Sequence, residues 1–162
     1  MSFGFNKLSS AALTILFVVY SILMGMSLSF IFLAYSLGSI ASTFAIAAGM
    51  FGFMALLGYT TKTDLTKFGS ILIMGLVGII IASFVNLFLV KSTQMEFIIS
   101  ILGVLIFTGL TAYDVQKLKR IGSGIDMSGE PARKMMIMGA LTLYLDFINL
   151  FLFLLRLLGN RR

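Results

Sequence analysis

Two aspartates stand inside stretches of sequence that are otherwise almost wholly apolar. Asp114 lies in GVLIFTGLTAYDVQKLK (103–119), and Asp146 in LTLYLDFINLFLFLLRLLGNRR (141–162). An ionised Asp at the centre of a membrane helix costs roughly 2.5 to 3.5 kcal/mol on insertion scales, so such a residue faces a cavity or a partner. Asp146 lies about 12 residues beyond Lys134, or about 18 Å along a helix axis, which puts it near mid-membrane. Thr142 and Asn149 share its face at spacings of four and three. For Asp114 two readings stand. Lys117, three residues on, could pair with it at the membrane interface. Alternatively the helix continues past the membrane surface, with Thr111 on the same face, and Asp114 approaches Asp146. Helical rise alone leaves the two carboxylates at different depths.

Were they to meet, two carboxylates in one site could not both ionise cheaply; they would hold a proton between them and titrate as a unit. Such a pair is a latch, closed by a hydrogen bond and opened by charge repulsion. Its oxygens would also attract a cation. Calcium takes six to eight oxygens, and two aspartates supply at most four, so carbonyls or water would complete any transient site at Asp114 and Asp146. The bland alternative is a buried hydrogen-bonded pair with no transport role.

Other chemistries find little support. The 162 residues include no cysteine and no histidine, which excludes disulfides, thiol catalysis, Cys/His zinc sites and histidine proton switches. There is no P-loop, nucleophile elbow or metal-ligand cluster, and the aspartates lack the glycine-flanked motif of an intramembrane aspartyl protease. The reading is of a protein that is not an enzyme and holds no tightly bound cofactor. A net charge of +6 suggests a nucleic-acid binder, but the basic residues form no dense stripe and fall between apolar runs, so no nucleic-acid partner is expected.

The elements that must carry the aspartates follow from hydropathy. With 59% hydrophobic residues, 11% charged and a mean hydropathy of +1.08, the chain has more apolar surface than one soluble core could bury. Lipid is its solvent. No charge occurs between Lys7 and Lys62, a stretch that as one helix would run about 80 Å against a hydrocarbon core of roughly 30 Å. It must turn back, at Ser36-Leu37-Gly38-Ser39. The expected architecture is an all-α polytopic bundle in a single transmembrane domain, 1–162, with spans at about 11–35, 40–59, 68–90, 97–117 and 133–158. Pro131 suits the first turn of the last helix. A cleaved signal peptide is disfavoured: the first apolar run is too long, and no small-x-small site precedes polar sequence.

These spans put Lys7, Lys62, Lys67, Lys117, Lys119, Arg120, Arg133 and Lys134 on one side. Lys91, Arg161 and Arg162 lie on the other, with Arg156 near a helix end. The bias predicts a cytoplasmic N-terminus. In the second span Ala41, Ala45 and Gly49 recur every four residues beside Ala48 and Gly52, which predicts close helix approach and a central place for that helix. Asn86, Tyr20 and Tyr35 are lesser polar residues, expected in helix–helix hydrogen bonds.

Four stretches together resemble the Bax inhibitor family of transmembrane proteins: GMSLSFIFLAYS (25–36), GYTTKTDLTKFGS (58–70) and the two aspartate-bearing segments. An Asp after Thr-Ala-Tyr and another after Leu-Tyr-Leu are the specific part. The resemblance implies a seven-helix fold with the last helix surrounded by the others, and a pH-sensitive calcium leak gated by an aspartate pair, here Asp114 and Asp146. Calcium would then be the permeant ion. The five spans correspond to the last five of those seven helices; the first two, and a basic residue on the second that could pair with an aspartate, have no counterpart in this sequence. Loss of two helices together preserves topological parity, but leaves one side of the last helix for a homo-oligomer or a membrane protein partner to cover. The family is also associated with non-conducting regulation of cell-death or membrane protein quality-control machinery, which is the second expectation. A bacterial inner membrane is the expected location, or the endoplasmic reticulum or Golgi for a eukaryotic chain.

Overall fold

The computed structural model describes residues 7–124 and 128–161, so Arg162 of the charge count lies outside the described residues. Helices α1 (Ser10–Leu28), α2 (Ile31–Ala34), α3 (Leu37–Thr60) and α4 (Thr66–Val85) are followed by a π-helical turn at Asn86–Val90, then α5 (Thr93–Ser123) and α6 (Glu130–Leu158). Five segments are long and apolar enough to cross a membrane: Ser10–Ala34, Leu37–Thr60, Thr66–Val90, Thr93–Ser123 and Glu130–Leu158. The chain is a polytopic all-α bundle.

Serines set three of the helix starts. The hydroxyls of Ser9, Ser36 and Ser92 accept the backbone N–H of Ala12, Ser39 and Met95, satisfying donors that have no partner within the first turn. The third cap moves the start of α5 back to Thr93, so residues 93–96, expected in a loop, are helical. Before it, the Asn86 side chain clamps the turn, with Oδ1 accepting the Ser92 N–H at 2.9 Å and Nδ2 donating to the Ser92 carbonyl at 3.2 Å. Asn86 thus serves its own connection rather than a neighbouring helix. This closure holds Lys91 at φ 52°, the single positive-φ non-glycine among the described residues, at a cost of about 1–2 kcal/mol.

α5 is the most enclosed element, packing against α3, α4 and α6, while α6 packs against α5, α3 and α1. The helices interlock where glycine removes a side chain. Gly58 abuts the Ala112 backbone, Gly69 the Tyr113 ring, Gly109 Leu72, Gly139 Leu118 and Gly103 the Phe153 ring. In lipid, where apolar burial gives no drive for helices to associate, such van der Waals contact holds a bundle together. Edge-to-face contacts of Phe147 with Phe44 and Phe51 add to it between α3 and α6.

The small-residue track of α3 corrects the sequence expectation. Ala41, Ala45, Ala48, Gly49 and Gly52 lie on the exposed face, and a Cβ added at Gly49 or Gly52 would meet nothing within 4 Å. α3 is buried through Thr43, Ala47 and Gly58 instead. Small residues permit close approach without compelling it. The centre falls to α5, whose buried positions, from Ile99 and Gly103 through Ile106, Phe107, Leu110 and Thr111, carry bulk as well as gaps.

Candidate functional site

Asp114 sits on α5 with nine residues of helix still to follow, because α5 runs to Ser123 and not to about 117. A polar clamp from the α3–α4 loop supports that extension. Gln116, 6% exposed, accepts the Leu65 N–H at 2.9 Å and donates to the Thr63 carbonyl at 2.7 Å. Asp64 Oδ1 takes three donors: the Thr66 N–H and hydroxyl and the Arg120 guanidinium. These bonds hold the Asp64 carboxyl well below the usual carboxylate range, the Thr66 hydroxyl contributing most. Lys119 adds a bond to the Tyr59 carbonyl at 2.7 Å. Sequence reasoning passed over Gln116; an uncharged amide between Asp114 and the basic residues that follow it was the available signal.

The register of α5 against α6 decides whether the aspartates meet. Leu118 fits over Gly139 and Phe153 over Gly103, and between these fixed points Asp114 comes opposite Thr142, one helical turn from Asp146. The two carboxyl groups lie within hydrogen-bonding distance of each other. Asp146 is 5% exposed, and its Oδ2 is buried with no hydrogen-bond donor among the described residues. Two ionised carboxylates are acceptors only, so a bond between these groups exists only while one of them carries a proton.

The pair opens onto a cavity of about 580 Å³ between α4 and α6, floored by α5. α4 and α6 both lie on α5 and make no extensive contact with one another. The α4 wall is apolar but for Ser83, with Ile73, Leu76, Ile80 and Phe84; nothing distinguishes these four from lipid-facing residues in a largely apolar helix. Thr142, Asn149 and Lys117 line the cavity with the aspartates, whereas Thr111 is fully buried beneath them. The hydroxyls of Thr111 and Thr142 donate to Phe107 and Met138, and the Asn149 amide to Leu145, each bonding back to its own helix. Lys117 makes no ion pair with Asp114; its Nζ lies over the Tyr113 ring, 5.9 Å from the centroid. No group of three or more acidic side chains that could hold a metal occurs among the described residues. A cation at the pair would therefore need carbonyl or water oxygens.

The family model described as "Inhibitor of apoptosis-promoting Bax1" matches residues 1–162, the whole chain. The chain belongs to the Bax inhibitor family. Similar proteins include the inner membrane protein YbhL of Escherichia coli strain K12, 56% identical over 158 residues, which are 97% of this chain and 67% of that protein. A protein of Borreliella burgdorferi is 56% identical over 162 residues, 100% of this chain and 69% of its own length. A membrane protein of Streptococcus pyogenes serotype M6 is 40% identical over 155 residues, 96% and 66% respectively. The chain spans about two thirds of the length of these Bax inhibitor family relatives. Within these five helices α6 is open on the α4 side, where the cavity lies.

Proposed function

We propose that this Bax inhibitor family protein is a pH-sensitive calcium leak of a bacterial inner membrane, gated by the Asp114–Asp146 pair. The observation that carries the reading is the carboxyl–carboxyl contact facing the cavity between α4 and α6. With a proton shared, the pair ties α5 to α6. Without it, two negative charges face each other in a poorly solvated place and drive the helices apart, while their oxygens become ligands for a passing cation. Calcium is the substrate; the aspartates offer it a weak, incomplete shell, which suits passage better than storage. The basic-residue bias puts the N-terminus in the cytoplasm.

The test is calcium entry into dye-loaded proteoliposomes between pH 5 and 8. Flux is expected to rise with pH in the wild type and to lose that dependence in Asp146→Asn, whose uncharged amide can donate a hydrogen bond to Asp114 at every pH. A pH dependence retained in Asp146→Asn and Asp114→Asn defeats the gate. A second reading, a non-conducting protein that docks a membrane partner, draws on the open α4–α6 groove and the bare α3 face. Absence of flux at every pH with stoichiometric recovery of a membrane partner would favour it.

A further inference from the structure

At the end of the bundle away from Lys62 and Arg120, a second cavity of about 520 Å³ lies where α4, the π-helical turn, α5 and α6 converge. Its polar lining includes Asn86, Lys91, Ser92, Thr93, Glu96 and Arg156. Both cations are uncommitted to acids: neither Lys91 nor Arg156 has an ion-pair partner among the described residues, and Arg156 only rests over the Phe153 ring, 5.4 Å from its centroid. The single carboxylate of the lining, Glu96, is already held by Arg161 at 2.9 Å. The cleft therefore carries unbalanced positive charge. Its depth is set by the spans that end beside it, at Val90 and Leu158, which is the level of lipid headgroups.

The walls lead from this charge into hydrocarbon. Ser83 borders both this cleft and the aspartate cavity, and Leu87 and Phe84 beside it are 63% and 59% exposed. The clamp of Asn86 on Ser92 keeps the Lys91 side of the rim fixed. We propose that this cleft binds an anionic phospholipid, its phosphate between Lys91 and Arg156 and its acyl chains along Phe84 and Leu87. A soluble anion would use the cations but gain nothing from the apolar ramp; a lipid uses both, at the depth where its phosphate already resides. Lipid composition at that face would then bear on the position of α4 relative to α6, the helices that flank the aspartate cavity.

The experiment is native mass spectrometry of the detergent-purified full chain titrated with dioleoylphosphatidylglycerol, with dioleoylphosphatidylcholine and inorganic phosphate as the other arms. Phosphatidylglycerol is expected to bind in preference to phosphatidylcholine. Its affinity should fall about fivefold in Lys91→Gln or Arg156→Gln and about twenty-five-fold in the double variant, the scale of one juxtamembrane cation each. Lys91→Arg and Arg156→Lys should keep it, which separates lost charge from lost fold. Equal binding of the two lipids, displacement by inorganic phosphate at low millimolar concentration, or an equal loss in Lys62→Gln/Lys67→Gln at the opposite face would each overturn the assignment.

Discussion

Replacing Gly58 by alanine is expected to destabilise the bundle by about 1–3 kcal/mol, the usual cost of forcing a methyl group into a filled space. A Cβ there would stand 2.8 Å from both the Cα and the carbonyl carbon of Ala112, and closer still to its oxygen, whereas ordinary Cβ contacts begin at 3.4 Å. The obstacle is backbone, which no rotamer change can remove. Because the Ala112 oxygen is the nearest obstacle, α3 and α5 must part by about 1 Å along a contact that each makes on one face only. Gly49→Ala and Gly52→Ala are the controls, since in the same helix their methyl groups meet nothing. Those should be neutral or stabilising by about 0.5–1 kcal/mol, because alanine restricts the unfolded chain. Equilibrium unfolding in mixed micelles of SDS and a mild detergent measures all three against wild type. The displacement also reaches the site, as Ala112 is two residues from Asp114, so under the proposed gate Gly58→Ala should shift the pH profile of calcium flux as well as stability. If Gly58→Ala proves as stable as Gly49→Ala, the close α3–α5 approach, and the depth it gives Asp114, are wrong.

Two further outcomes test the support around the site. Gln116→Leu should cost about 1–3 kcal/mol by stranding the Leu65 N–H and the Thr63 carbonyl, and hydrogen exchange at Leu65 should quicken while that of α1 is unchanged. For Asp64 the folded value is depressed, so its contribution to loop order is present above the unfolded value of about 3.9 and is lost only as pH falls through the lower folded value. Carboxyl carbon NMR should find Asp64 still ionised at pH 3.5; a midpoint near the ordinary value would mean that the Thr66 and Arg120 contacts do not form in solution.

Much of the bundle could be read from the chain because lipid imposes a coarse rule, that every crossing must be a long apolar helix with its polar groups paired internally. The break in the uncharged run before Lys62 had to fall near its middle, and Ser36 supplies the cap that starts α3 there. Packing obeys finer rules. The Ala41, Ala45 and Gly49 track has the spacing of a helix interface and faces outward, while single glycines without a repeat, such as Gly58, Gly69 and Gly139, mark the true approaches. What separates the two sets is the shape of the residue opposite, Tyr113 or Leu118 for instance, which a single sequence does not pair with them.

The aspartates show the same limit at the scale of one helical turn. Counting rise from each helix start set Asp114 near the surface and Asp146 near the middle, because the count took α5 to end at its basic cluster. Lys117, Lys119 and Arg120 are instead inside α5, two of them turned to the end of α3 and the loop after it: Lys119 on the Tyr59 carbonyl, Arg120 on Asp64. A basic cluster that ends a hydrophobic run need not end its helix when a neighbouring loop supplies acceptors for it. Once α5 continues, the Leu118–Gly139 and Phe153–Gly103 contacts fix its register on α6, and the separation between the aspartates shrinks to what two side chains bridge. The depth of Asp114 is therefore a property of the loop clamp and the helix register together. Loosening Gln116 and displacing Gly58 should act on the same carboxyl–carboxyl contact from one face of α5, where Ala112 and Gln116 stand four residues apart.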